Sequence, residues 1–252
     1  MQKQFPYRAA NHDTPLFRQL SDMDILLQQN KVHNLKIAIG RIRGTVVYPG
    51  EVFSYWKLIG APVRIRGFKK GIVLVNGKAT AKTGGGLCQL SNLIYWMTLH
   101  TPLSVVERFR HSYDVFPDQN RTQPFGSGAT CVYNYRDLQI RNETDVPYVI
   151  ELSVHDGRLW GEWRTSEPCI DEYEIYEKKH WITHEMTNVY VRHNTLWRRH
   201  YKKKSDGSRE LIDDLEITEN NALMMYSPLI SAPKSFTETA ANMTDAAWKS
   251  AK

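Results

Sequence analysis

Residues Thr83-Gly84-Gly85-Gly86-Leu87-Cys88-Gln89 constrain the fold more than any other stretch of this chain. Three consecutive glycines can take backbone conformations closed to other residues and let another chain segment approach closely. The pattern then turns helical, with Leu87, Leu90, Ile94 and Met97 forming one apolar stripe and Cys88, Ser91 and Tyr95 lying on the neighbouring face. Pro102 closes this helix. Cys88 thus stands in a first turn, where unpaired backbone N–H groups and the positive end of the helix dipole favour a thiolate.

The surrounding pattern is mixed. Residues 14–33 read as an N-terminal helix, with Thr14-Pro15 as cap and first turn and Leu16, Leu20, Met23 and Leu27 at helical spacing. Short apolar runs follow at 35–39 and 45–48, and 53–59 suits strand or helix equally. A β-branched run at 71–75 ends at Asn76-Gly77, a strong two-residue hairpin signal. Residues 103–111 read as a strand. Segments 131–140, 147–154 and 158–164 read as a meander, its last turn at Asp156-Gly157. Beyond Pro168, segments around 174–184, 189–201 and 210–217 suggest further antiparallel strands. The expectation is an α+β protein in four parts: a helical segment 1–34, a core 35–165 around one central helix, an antiparallel β extension 166–231, and a flexible or helical tail 232–252.

The formal net charge of +6 is too weak to argue nucleic-acid binding by itself. The one dense basic run, 198–204, precedes Asp206-Gly207 and reads as a solvated hairpin arm. Cysteines at 88, 131 and 169 form neither a disulfide framework nor a zinc pattern. His180-x-x-x-His184 has helical metal spacing, but Trp181-Ile182-Thr183 favours a strand; no metal or cofactor is expected. With no signal-peptide pattern and no apolar stretch of bilayer length, a cytoplasmic location without a membrane span is expected.

A thiol at a helix start can face an imidazole on a return strand, and His111 is placed for that role. Asp114 and Ser112 are the nearby groups that could orient its ring. A phosphate cradle is the rival use of the glycine run, but Lys82-Thr83 precedes the glycines, the reverse of the P-loop order.

Several blocks in order carry a resemblance: Pro49-Gly50-Glu51-Val52-Phe53-Ser54, Ile59-Gly60, Gly84 to Ser91, Val106-Glu107-Arg108, His111-Ser112 and Asp137 to Asn142. Together they resemble the VanW family, whose namesake belongs to a vancomycin-resistance cluster. The resemblance implies an L,D-transpeptidase-like acyl transfer or hydrolysis on a peptidoglycan peptide or its precursor. It implies Cys88 as nucleophile with His111 as partner, and Gly84, Gly85, Gly86, Leu87, Gln89 and Arg108 on the substrate and oxyanion side. Where many members carry Asp-Ala-Thr/Ser-Val, this chain reads Gly128-Ala129-Thr130-Cys131-Val132, so Gly128 cannot supply a carboxylate to the histidine. The alternative is a non-catalytic accessory or binding protein in which Cys88 is structural.

Overall fold

Cross-strand pairing and one seated helix organise the chain, which is described here by a computed structural model over residues 4–17, 25–115 and 123–228. The first strand, β1 (Tyr7–Pro15), is followed by α1 (Ile25–Ile42), the two-residue β2 (Val46–Val47), β3 (Val52–Ser54) and α2 (Tyr55–Ile59). The hairpin β4 (Lys70–Val75) and β5 (Lys78–Thr83) leads into α3 (Cys88–Leu99). Then come β6 (Ser104–Glu107), β7 (Tyr113–Asp114), β8 (Gln139–Arg141), β9 (Tyr148–His155) and β10 (Arg158–Thr165). The long strands β11 (Asp171–Met186), β12 (Val189–Lys203) and β13 (Arg209–Met224) are the last elements among the described residues, in an α+β architecture rich in strand. No helix among the described residues is long and apolar enough to cross a membrane.

The central helix sits on the sheet ordered β1-β10-β9-β2. Its stripe, Leu90, Ile94 and Met97, is fully buried. Gly161 on β10 makes room for it, since a Cβ there would lie 2.9 Å from Met97 Cε and 3.1 Å from Leu93 Cδ2. Beside it the buried Trp163 donates its indole N–H to Thr98 Oγ1 at 3.1 Å. Helix α1 covers the same core with Leu35, Ala38, Ile39 and Ile42, the i, i+3, i+4, i+7 spacing of one helical face.

Two expectations change. Residues 7–15 are a strand, paired antiparallel with β10 from Tyr7↔Thr165 to Pro15↔Arg158, so Thr14-Pro15 ends an edge strand instead of capping a helix. Proline has no N–H to lose at such a place. The helix runs through 25–42 and absorbs the apolar run at 35–39. The meander also shortens. Segment 131–140 breaks at Asn134, whose φ of 66° closes a tight turn, and only β8 remains of it. That strand joins β3 and β6 in a separate sheet, while β9 and β10 form the expected hairpin at Asp156-Gly157. The ambiguous 53–59 is strand then helix, switching at Ser54, whose Oγ accepts from Lys57 N and donates to Asp137. Asn76 (φ 48°) and Gly77 (φ 75°) make the expected β4–β5 turn. The tail from 232 lies outside the described residues.

The C-terminal sheet is ordered β11-β12-β13-β7, with β7 parallel to β13. Several members of its basic run face carboxylates across the strands: Arg199 faces Glu174 and Asp214, Lys203 faces Glu172, and Lys204 faces Glu210. One buried ion pair ties β7 to the arm, Arg192 Nη1 to Asp114 Oδ2 at 2.9 Å, with the Tyr226 hydroxyl donating to the same oxygen at 2.7 Å. Removing one partner of a buried pair strands the other charge. Asp114→Ala should therefore lower the unfolding free energy by about 3 kcal/mol or more, read as a shifted denaturant midpoint.

Candidate functional site

The glycine run is a packing device before it is anything else. Gly85 lies against Gly71 of β4, and a Cβ on Gly85 would fall 2.1 Å from the Gly71 carbonyl. Asn34 of α1, fully buried, clamps the crossing. Its Nδ2 donates to the carbonyls of Lys69 and Gly85, both at 3.0 Å, and its Oδ1 accepts from Lys69 N at 2.8 Å. Gly86 follows with φ 93°, a left-handed conformation that L side chains rarely adopt, and turns the chain into α3. Gly84 backs onto Pro62. The Leu87 carbonyl accepts from the buried Tyr55 hydroxyl at 2.8 Å, fixing the helix entry.

Cys88 is the first residue of α3 and only partly exposed. Its Sγ lies 3.9 Å from the Cys131 carbonyl oxygen. Burial pushes its thiol above the ordinary value, which outweighs the hydrogen bonds available from the Cys131 segment and from its own backbone. Burial pushes the neighbouring Cys131 thiol up as well. The backbone amides of Gly86, Leu87 and Cys88 have no backbone acceptor among the described residues, as expected of a helix start.

One turn further along the helix, Asn92 takes over the site. Its Oδ1 accepts from Ala129 N at 2.8 Å and lies 3.3 Å from His111 Nε2. The other ring nitrogen, Nδ1, lies 2.8 Å from Thr130 Oγ1. With an acceptor oxygen beside Nε2, the consistent assignment puts the ring proton on Nε2 and has Thr130 donate to Nδ1. Burial, and secondarily the Arg108 charge, lowers the His111 pKa to about 4, so the imidazole is neutral at pH 7. Ser91, also on α3, donates to the Ala129 carbonyl at 2.8 Å. A Cβ on Gly128 would lie 2.8 Å from Asn92 Oδ1 and 2.9 Å from His111 Nε2. The place where a carboxylate would reach the ring is therefore already filled by the amide and the ring itself.

The C-terminal sheet holds this loop from outside. Arg108 donates to the carbonyls of Gly128 at 2.9 Å and Gly126 at 2.5 Å, and reaches Thr218 Oγ1 and Asn220 Oδ1 on β13. Buried Asn194 of β12 donates to the Phe125 carbonyl at 2.7 Å.

Cys88 and His111 both adjoin the 129–131 segment, Cys88 at the Cys131 carbonyl and His111 at Thr130 Oγ1, with no hydrogen bond between the two among the described residues, while the other expected residues divide. Asp114 is bound to Arg192 and Tyr226, and Ser112 is exposed with its carbonyl accepting from Leu223 N, so neither holds the His111 ring. Asn92 and Thr130 do, and sequence reading missed both. Asn92 was within reach, four residues after Cys88 on one helical face; nothing in the sequence marks Thr130. Gln89 turns away to β1, donating to Thr14 Oγ1 and the Pro15 carbonyl. Arg108 serves the loop's carbonyls, and the glycines serve packing. His180 lies on a strand, its Nε2 accepting from Arg192, and no group of three potential metal ligands occurs among the described residues.

A histidine that stays neutral when buried weakens folding in acid. The unfolded chain titrates near 6.5 and the folded one near 4, so between those values the unfolded state binds more protons. Stability should fall as pH drops from 6.5 towards 4, and His12 and His100, also lowered chiefly by burial, add in the same direction. Urea midpoints at pH 7 and pH 5 should differ less in His111→Gln than in the parent; an unchanged difference would contradict this assignment.

Comparison with known proteins follows the same stretch. The family model described as VanW like protein matches residues 30–164. The chain is 37% identical over 161 residues to the vancomycin B-type resistance protein VanW of Enterococcus faecalis (strain ATCC 700802 / V583), covering 64% of this chain and 58% of that protein. It is 27% identical over 131 residues to the uncharacterized protein YoaR of Bacillus subtilis (strain 168), covering 52% of this chain and 42% of that one. No solved structure matches the chain.

Proposed function

The chain belongs to the VanW family, and from that premise we propose that it is a cysteine acyl transferase acting on a peptidoglycan peptide or its precursor. The observation that carries this reading is the position of Cys88, partly exposed at the head of α3 beside three amides without backbone acceptors. Amides so placed can stabilise an oxyanion. Cys88 Sγ attacks the carbonyl carbon at the L-centre of a stem peptide and forms a thioester. The terminal D-residue leaves as its amine, carrying the thiol proton, and an acceptor amine or water then cleaves the thioester and restores the thiol. His111 relays the proton, which requires it to exchange its Thr130 bond for the substrate-bound thiol; hydrogen bonds in an empty site often differ from those in the complex. The chain spans 58% and 42% of the lengths of these two relatives.

A second reading has its own observation. Both His111 nitrogens are occupied and the Cys88 thiol is pushed up by burial, as in a centre that binds or merely packs. On that reading the chain is an accessory binding protein of glycopeptide resistance. Mass spectrometry of the protein incubated with a tetrapeptide stem separates the two. The catalytic reading expects a thioester adduct and release of the terminal D-residue from the parent, and loss of both, by a hundredfold or more, in Cys88→Ala. Equal turnover by parent and variant, or none by either, supports the binding reading.

A further inference from the structure

Charge along this chain is more uneven than its total suggests. Between Ile25 and Val106 there are eleven lysines and arginines and one carboxylate, Glu51, so this third of the chain carries more than the whole excess of positive charge. Arg43 pairs with Glu151. By contrast Arg64, Arg66, Lys69, Lys70, Lys78 and Lys82 are exposed and make no ion pair among the described residues. The C-terminal sheet differs, because there the basic run is matched by carboxylates on both flanking strands.

At the centre of this basic end stands an isoleucine with no cover. Ile65 is 94% exposed, between Arg64 and Arg66, in a single helical turn closed by Gly67 at φ 88°. The turn is held firmly. Phe68 is buried beneath it at 2% exposure, His33 Nε2 contacts the Gly67 carbonyl at 3.0 Å, and Asn30 donates to the Lys70 carbonyl at 2.9 Å. Arg66 folds back to donate to the Ala61 carbonyl at 3.4 Å. The β4–β5 hairpin adjoins this turn where Gly84 meets Pro62, adding Leu74 at 42% exposure and the exposed Lys78 and Lys82 of β5. Folding gains nothing from a rigidly presented, solvated isoleucine flanked by Arg64 and Arg66.

We propose that this end of the molecule, Val63 to Lys70 with the β4–β5 hairpin, docks on an anionic lipid surface, with Ile65 entering the headgroup–acyl boundary and the flanking cations bound to headgroup phosphates. An exposed isoleucine between two arginines, with further exposed lysines on the adjoining segments, matches the two components of interfacial binding, burial of apolar area and attraction to anionic lipid. A soluble polyanion such as a nucleic acid would use the cations but has no use for the isoleucine. The surface is independent of the chemistry assigned to Cys88.

Co-sedimentation of the full chain with vesicles tests this. The protein should pellet with phosphatidylglycerol–phosphatidylcholine vesicles and stay in solution with phosphatidylcholine alone. Ile65→Ser should weaken partitioning by about tenfold, and Arg64→Gln or Lys82→Gln by roughly fivefold each. All three positions are exposed, so thermal unfolding should be unchanged. Binding that ignores anionic lipid content, parent-like binding by Ile65→Ser, or binding to heparin or duplex DNA without any to vesicles would each overturn the proposal.

Discussion

Everything at the candidate site depends on one backbone crossing, Gly85 over Gly71, clamped by the Asn34 amide. Two glycine backbones can approach at this distance only because neither carries a Cβ. A buried side-chain amide then satisfies the Gly85 carbonyl and shares the Lys69 carbonyl with Gly84 N–H. From that point the chain has a single direction available, through Gly86 at φ 93° into the first turn of α3. The position of Cys88 is therefore set by packing among α1, β4 and the glycine loop, before any contact made by the sulfur itself.

The second support comes from the opposite side. Ser91 and Asn92 of α3 grip the Gly128–Thr130 loop from within, while Arg108, itself bonded to Asn220 of β13, binds the Gly128 carbonyl and Asn194 of β12 binds the Phe125 carbonyl just upstream. Strands β12 and β13 lie beyond residues 30–164, the stretch matched by the family model, yet they fix the loop that supplies Thr130 to His111. Through Asn194 and Asn220 the extension supports the site from outside.

Legibility from sequence followed the range of the forces involved. Local signals read well: the apolar stripe of α3, the Asn76-Gly77 and Asp156-Gly157 turns, and the long strands after Pro168 all depend on neighbours in the chain. Pairing between distant segments read poorly. Residues 7–15 carry a helix-like Thr-Pro start, and only the free edge of β10 makes them a strand. Asp114 looked available to His111 from its position, but Arg192, far along the chain, claims it. The glycine run was legible as a special backbone, but not the segments that its missing side chains admit, Gly71, Pro62 and Lys31. Gly128 taught the reverse lesson: the absent carboxylate coincides with a space already occupied by Asn92 and His111.

These supports converge on a residue that is held in place and partly exposed, its thiol pushed above the ordinary value by burial. The pH dependence of Cys88 alkylation, followed by peptide mass mapping in the Cys131→Ala, Cys169→Ala background, measures that state directly. The account predicts a reaction rate that keeps rising through and beyond the ordinary thiol value of about 8.5, with little reaction at neutral pH. A rate already at its plateau below pH 7 would reveal a preformed thiolate and contradict it.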